Sequence, residues 1–445
     1  MRILNKLWLE IRSRALVRDT ITTTFWSTLG RGVGFLIPFF IAAWFGVSSE
    51  TDSFFFAYSL ILFLANIFAP VVQSIIVPYI AETRKNNEDV GKFVGKILSV
   101  SSVGLLGLAV IVILVIKPVL SVITRFDQQT LNFIHTLIFE TSPLIVFLVW
   151  TSILTGALNA YKKFAFPAVS PAFRAVVNLS IIFIFREKIG VHAIALGYVV
   201  GEIVRLIILL GVIKRLKILK LSLSLQLGSR IREFLKTGSF QAIGMVALGF
   251  NTFINNAMAS WLATGSVSIL HYANRLYMIP TTFISTGLLV TLLSHWSGRY
   301  YKSGIMRLKE DVEKAVKTIG IITLPITTLL IFFRQPIVNL AFGRGAFALE
   351  KLPEVGWVWV CYLLGFLPYI IRQVYVRAHL ALKNTKALMQ ISFCSFVLQI
   401  VFNYILMRPL KVAGIALATS FVSLFGAMVL GTLFYKRVEK EGLKL

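Results

Sequence analysis

The chain has 445 residues, 57% of them apolar and only 14% charged, with a mean hydropathy of +0.81. Soluble domains run at about 45–50% apolar and about 25% charged residues. A soluble enzyme, a disordered chain and a secreted disulfide scaffold are therefore excluded, and an all-α integral membrane protein is expected. Lys and Arg number 45 against 19 Asp and Glu, a net charge of +26, so the question becomes where each cation sits relative to the bilayer.

In chain order, the N-terminus from Met1 to Asp19 is basic and amphipathic. The apolar run after it is too long for the core of a cleavable signal peptide. Twelve stretches then reach the roughly 20 apolar residues that a spanning helix needs: 20–45, 53–81, 93–116, 131–158, 164–185, 190–213, 239–262, 267–296, 315–333, 354–382, 387–407 and 412–435. Pro38, Pro143, Pro280, Pro325 and Pro368 fall inside them, where neighbouring helices or water can satisfy the freed backbone groups.

Twelve spans place both termini on one side. With the N-terminus in the cytoplasm, the cytoplasmic segments hold 30 Lys and Arg and the external ones nine. This asymmetry predicts cytoplasmic termini and affinity for anionic phospholipids, with no nucleic acid as partner. The segment 214–238 is basic and carries Leu221, Leu223, Leu225 and Leu227. It is expected to lie amphipathically on the inner membrane surface as a linker between an N-terminal lobe, 1–213, and a C-terminal lobe, 239–445.

The lobes repeat each other. Ala42-Ala43-Trp44-Phe45 matches Ala259-Ser260-Trp261-Leu262, and Lys117-Pro118-Val119 matches Gln335-Pro336-Ile337. Ala157-Leu158 with Lys162 matches Ala381-Leu382 with Lys386, Ile194-Ala195-Leu196 matches Ile415-Ala416-Leu417, and Lys214-Arg215 matches Lys436-Arg437. The matches keep their order at offsets from 217 to 224. A duplicated unit of six helices enters the membrane the same way twice, which predicts two six-helix bundles related by a pseudo-two-fold along the membrane normal, with a central cavity and alternating access.

Six arginines fall inside predicted spans: Arg31, Arg174, Arg205, Arg275, Arg372 and Arg377. The clear acids at that depth are Glu202 and Glu140. An arginine at mid-helix costs about 2.5–3.5 kcal/mol to insert, so these residues call for partners, water or a ligand. Glu202 and Arg205, three apart on one helix, are expected to pair. Glu140 is a candidate to neutralise a neighbour across its bundle, and Arg377 is near enough to a helix end to snorkel. Arg31 sits among Gly30, Gly32 and Gly34, which allow close approach of a backbone or ligand. The excess of cations over acids suits an anionic substrate such as phosphate or pyrophosphate, which arginine grips bidentately.

Gly30-Arg31-Gly32-Val33-Gly34-Phe35, Phe45-Gly46 and Thr51-Asp52-Ser53-Phe54-Phe55 resemble the first two helices of the MurJ (MviN) lipid II flippase family, within the multidrug/oligosaccharidyl-lipid/polysaccharide exporter superfamily. Ala259-Ser260-Trp261-Leu262-Ala263-Thr264-Gly265-Ser266-Val267-Ser268, then Tyr272-Ala273-Asn274-Arg275-Leu276 and Pro280, resemble its helices 7 and 8. The resemblance covers nearly the whole chain. It implies a V-shaped two-lobe fold in the bacterial cytoplasmic (inner) membrane. It also implies that an undecaprenyl-pyrophosphate-linked glycan crosses with its headgroup in the cavity and its tail in lipid, and that Arg31, Asp52 and Arg275 occupy functional positions. The chain departs from the family at Ile37-Pro38 and Ala65-Asn66, where family arginines are usual, and at Asn274 and Met278, where acids are usual. Two C-terminal helices of the family are expected to be missing beyond Leu445. Arg174 and Arg372 are candidates to supply the substrate-binding charge instead.

Two other readings compete: a flippase for an exopolysaccharide or O-antigen lipid-linked oligosaccharide, and an ion-coupled drug exporter, which wants more intramembrane carboxylates than this chain has. An enzyme is not expected. The sequence has no HExxH, nucleophile elbow or Gly-rich phosphate loop. Cys361 and Cys394 lie in apolar runs, and His135, His192, His271, His295 and His379 show no ligand spacing. No metal or organic cofactor is expected. Sodium, protons or the membrane potential remain open as the driving force, with Asn251, Asn255, Asn256 and Asn403 as candidates for a sodium site or for helix-packing amides. A monomer is expected.

Overall fold

The computed structural model describes residues 32–215, 224–226, 228–382 and 384–442. Among the described residues there is no strand, and nine helical stretches are long and apolar enough to cross a membrane. The helices are α1 (Gly32–Phe45), α2 (Ser49–Lys85), α3 (Val90–Ile123), α4 (Gln128–Thr141), α5 (Pro143–Ala160), α6 (Ala165–Ile189) and α7 (His192–Arg215). They continue as α8 (Ser229–Ala259), α9 (Ser266–Phe332), α10 (Arg334–Phe342), α11 (Leu352–Leu364), α12 (Phe366–Ala381), α13 (Thr385–Leu410) and α14 (Val412–Gly442).

Residues 20–31 of the first predicted run lie outside the described residues; the described part of every predicted run falls on helix, but two runs are broken in the middle. The run 131–158 splits into α4 and α5 at Ser142, whose N–H turns back to the Phe139 carbonyl. Pro143 opens α5, where its missing N–H breaks no helical bond. The run 354–382 splits into α11 and α12 at Gly365, where a Cβ would lie 2.6 Å from Ser420 Cα on α14.

Two stretches between predicted spans are largely helical. Residues 299–314, placed between the eighth and ninth spans, belong to α9, which is interrupted there only by Gly304 at φ 76°, ψ −178°. That region of backbone space is nearly restricted to glycine. The external stretch 334–351 holds α10 and a 3₁₀ turn at Leu349–Lys351. Of the basic stretch 214–238, residues 216–223 and 227 lie outside the described residues, so Leu221, Leu223 and Leu227 are not placed. Its last ten residues form the start of α8. Arg230 there binds Glu88 at 2.5 Å and Glu82 at 3.3 Å, with its guanidinium over the Phe93 ring.

The chain forms two compact units. The first comprises the described parts of Met1–Ile41, Ala57–Val122 and Asp127–Gly249; the second comprises Ala42–Phe56, Ile123–Phe126 and Phe250–Leu445. In the first, α6 and α7 pack closely because α7 presents glycines. A Cβ on Gly197 would meet Asn178 Oδ1 at 2.7 Å, and one on Gly201 would meet the Arg174 carbonyl at 2.8 Å. Gly156 on α5 likewise lies against Ile76 and Gln73 of α2. The second unit has an apolar core of Ile305, Leu308, Phe366, Ile370, Val374 and Phe434 from α9, α12 and α14.

Candidate functional site

The first unit carries a charged cluster at membrane depth. Arg174 lies near the middle of α6, about 14 Å from its start at 1.5 Å per residue, and Glu202 and Arg205 lie mid-way along α7. The small face at Gly197 and Gly201 brings α7 onto α6, so Glu202 faces both arginines. Glu202 is completely buried. Its Oε2 accepts from Arg174 Nη1 at 3.1 Å, and its Oε1 accepts from Arg205 Nη1 at 3.0 Å and from the Thr151 hydroxyl at 2.7 Å. Arg205 Nε donates to Ser170 Oγ at 3.1 Å. The predicted Glu202–Arg205 pair is thus present, but as part of a triad with Arg174, and two guanidiniums share one carboxylate. Thr151 and Ser170 were not legible as partners, because neither is near Glu202 in sequence.

Glu140 does not meet an arginine. Its Oε1 binds His192 Nδ1 at 2.7 Å, linking the end of α4 to the start of α7. Among the other histidines, His135 Nε2 binds the Ile113 carbonyl and His379 Nε2 the Leu430 carbonyl, both packing roles. The His295 side chain lies outside the description.

In the second unit, Asp52 is a helix cap. Gly265, at φ 91°, precedes α9, and the Asp52 carboxylate accepts from the N–H of Gly265 and of Ser268 at 2.7 Å each and from Ser268 Oγ at 2.5 Å. A buried carboxylate at a helix N-terminus satisfies orphan amides and is favoured by the helix dipole. Around it the backbone is tight. The Tyr272 hydroxyl donates to the Gly46 carbonyl at 2.9 Å, Ala346 N–H to the Ala43 carbonyl at 2.7 Å, and the His271 ring stacks on Phe55 at 3.9 Å. Gly46 has φ +64°, and a Cβ there would lie 2.4 Å from the Ala346 carbonyl oxygen. Arg275 follows one turn later on α9 and is half-buried.

Arg372 on α12 is half-buried, donates to Ser395 Oγ at 3.5 Å and fills the space left by Gly426, whose Cβ would lie 2.7 Å from Arg372 Cδ. No carboxylate pairs with it among the described residues. Arg377 is half-buried nearer the end of the same helix. Arg31 lies outside the described residues. Of the asparagines, Asn255 and Asn403 meet. Asn403 Nδ2 donates to Asn255 Oδ1 at 2.8 Å, and Gln399 Nε2 donates to both side-chain oxygens at 3.2 and 2.9 Å. Among the described residues Asn251 Oδ1 is buried without a hydrogen-bond partner, and Asn256 is buried outside that cluster. No group of three His, Cys, Asp or Glu side chains gathers for a metal among the described residues.

The family model described as Lipid II flippase MurJ matches residues 41–445. The chain belongs to the MurJ family. A "Probable lipid II flippase MurJ" of Rickettsia prowazekii is 25% identical over 97% of this chain and 86% of its own length. The "Lipid II flippase MurJ" of Burkholderia cenocepacia is 24% identical over 96% and 84%. A solved structure titled "Lipid II flippase MurJ, inward closed conformation" is 25% identical, covers 93% of this chain and 86% of its own, and superposes with a TM-score of 0.78. An inward-facing multidrug resistance MATE family transporter of the MOP superfamily shares the fold with a TM-score of 0.75 at 15% identity, over 93% of this chain and 95% of its own. The helix 7–8 motif that suggested MurJ from sequence is the stretch that builds the α9 cap around Asp52.

Proposed function

We propose that this chain is a lipid II flippase of the bacterial inner membrane. It carries the undecaprenyl-pyrophosphate glycan from the cytoplasmic to the outer leaflet by alternating access, the polyprenyl tail staying in lipid. Membership of the MurJ family over residues 41–445 carries this reading. The chemistry agrees: the described spans hold more guanidinium than carboxylate, and a pyrophosphate needs cationic hydrogen-bond donors at depth. Arg174, Arg275, Arg372 and, at the N-terminal end, Arg31 are the groups assigned to the headgroup, with both termini in the cytoplasm and a monomer as the working unit. Moving one anionic charge outward releases roughly 2.3 kcal/mol per 100 mV of interior-negative potential, so the membrane potential is the proposed driving force. The test is rescue of a bacterium depleted of its own MurJ. Growth with normal lipid II turnover is expected, slowed by collapse of the potential and not by omission of sodium. A verified membrane-inserted chain that fails to rescue would overturn the lipid II assignment in favour of another lipid-linked glycan.

A further inference from the structure

We propose that Arg174, tethered by Glu202 and backed by Arg205, forms a phosphate-binding subsite at bilayer depth in the first unit. The inference rests on the flippase reading and deepens it by naming where one phosphate of the lipid-linked pyrophosphate docks. A structural salt bridge closes when each guanidinium has a carboxylate, but here Glu202 serves both Arg174 and Arg205. The cluster keeps one net positive charge, near the middle of two membrane-length helices. An unneutralised charge at that depth is costly, faces a bundle interior or water-filled cavity, and marks a substrate or ion path.

Geometry then separates the two arginines. Arg205 is held at Nη1 by Glu202 and at Nε by Ser170, and its side chain is 14% exposed. Arg174 gives Glu202 only one Nη1 contact and is 26% exposed, so the rest of its planar fork is the accessible part of the site. That fork matches the spacing of two phosphate oxygens. The rings of Tyr58 on α2 and Tyr198 on α7 pack 4.4 Å apart in the same unit. Glu202 is locked from behind by the Thr151 hydroxyl. It fixes the direction of Arg174 without neutralising the pair.

The test uses the full-length protein in nanodiscs of zwitterionic lipid, with undecaprenyl pyrophosphate as the probe and bound lipid read by native mass spectrometry. Arg174→Gln is expected to weaken binding roughly tenfold or more, the value of losing a charged hydrogen-bonding partner. Arg174→Lys keeps the charge and the tether to Glu202 but loses the fork, and is expected to recover only part of the loss. Glu202→Gln keeps an acceptor oxygen and raises the net charge, so binding should tighten several-fold. A merely structural cluster would give lower thermal stability in all three variants with affinity unchanged. That result, or wild-type affinity in both Arg174 variants, overturns the subsite. Displacement of the probe by equimolar phosphatidylglycerol would assign the site to ordinary anionic lipid and overturn it as a substrate subsite, whereas displacement by inorganic pyrophosphate supports it. No binding of the probe to the unaltered protein would instead bring down the flippase reading.

Discussion

Asp52 is the residue whose role changes most between sequence and structure. In sequence it is an acid in the first turn of its own helix, α2, and the family resemblance places it at a functional position. In the structure its carboxylate is buried and holds the Gly265 and Ser268 amides and the Ser268 hydroxyl at the start of α9. Asp52→Ala is therefore expected to cost roughly 1–3 kcal/mol, seen as a lower melting temperature in detergent. Loss of transport should track that loss of stability rather than exceed it. Ser268→Ala should reproduce part of the effect. Asp127 is a simpler cap, accepting from Gln129 N–H, Thr130 N–H and Thr130 Oγ1 at the start of α4. These bonds, the Thr130 hydroxyl first, hold its carboxyl below the ordinary Asp range. Because the folded value is the lower one, the stabilisation is complete above the unfolded value of about 3.9 and is lost as pH falls through the folded value. Asp127→Ala should melt below wild type at pH 7, and the gap should close on acidification below about pH 4. Individual residue types were legible in the sequence, and so was the i, i+3 pairing of Glu202 with Arg205. The partners contributed by another helix were not, because Arg174 and Thr151 meet Glu202 only after α5, α6 and α7 have packed.

Among the elements, the repeat seen as scattered residue matches reappears as backbone geometry. Gly190 closes α6 at φ 56°, ψ −135°, with its N–H on the carbonyl four residues back, and Lys411 closes α13 at φ 51°, ψ −130° with the same bond. The following helix begins identically, with Ala193 N–H on the Gly190 carbonyl and Gly414 N–H on the Lys411 carbonyl, both at 3.0 Å. The breaks at Ser142 and Gly365 lie at a similar offset, each splitting one apolar run into two helices. One copy thus has glycine where the other forces a lysine into a conformation that side chains resist. Lys411→Gly should raise thermal stability by about 1 kcal/mol, and Gly190→Lys should lower it by a similar amount. Span positions were readable because hydropathy alone fixes them in a membrane. The breaks at Ser142 and Gly365 and the helix on either side of the Gly304 kink within 299–314 were not, because Pro143 marks a helix start as well as a kink, and a basic stretch can be loop or helix.

For the molecule as a whole, charge asymmetry is the strongest global signal. The 30 to nine division of Lys and Arg predicts an inward C-terminus. A fluorescent protein fused after Leu445 should light up, and an alkaline phosphatase fused there should stay inactive. Active phosphatase would reverse the orientation. The all-helical class and the family were both readable from sequence, since an apolar composition leaves few architectures and the helix 7–8 motif is specific. The distribution of the cations inside the spans was less readable, because counting arginines does not reveal that two of them share Glu202.

The knot of backbone around Gly46 sets a schedule for biogenesis. The Gly46 carbonyl receives its hydrogen from Tyr272, 226 positions later, and the Ala43 carbonyl waits still longer, for Ala346. At about 5–20 residues per second, a ribosome needs roughly 10–45 s to deliver the tyrosine alone. Through that interval the two carbonyls, at the end of the first predicted span, have water rather than their final partners to satisfy them.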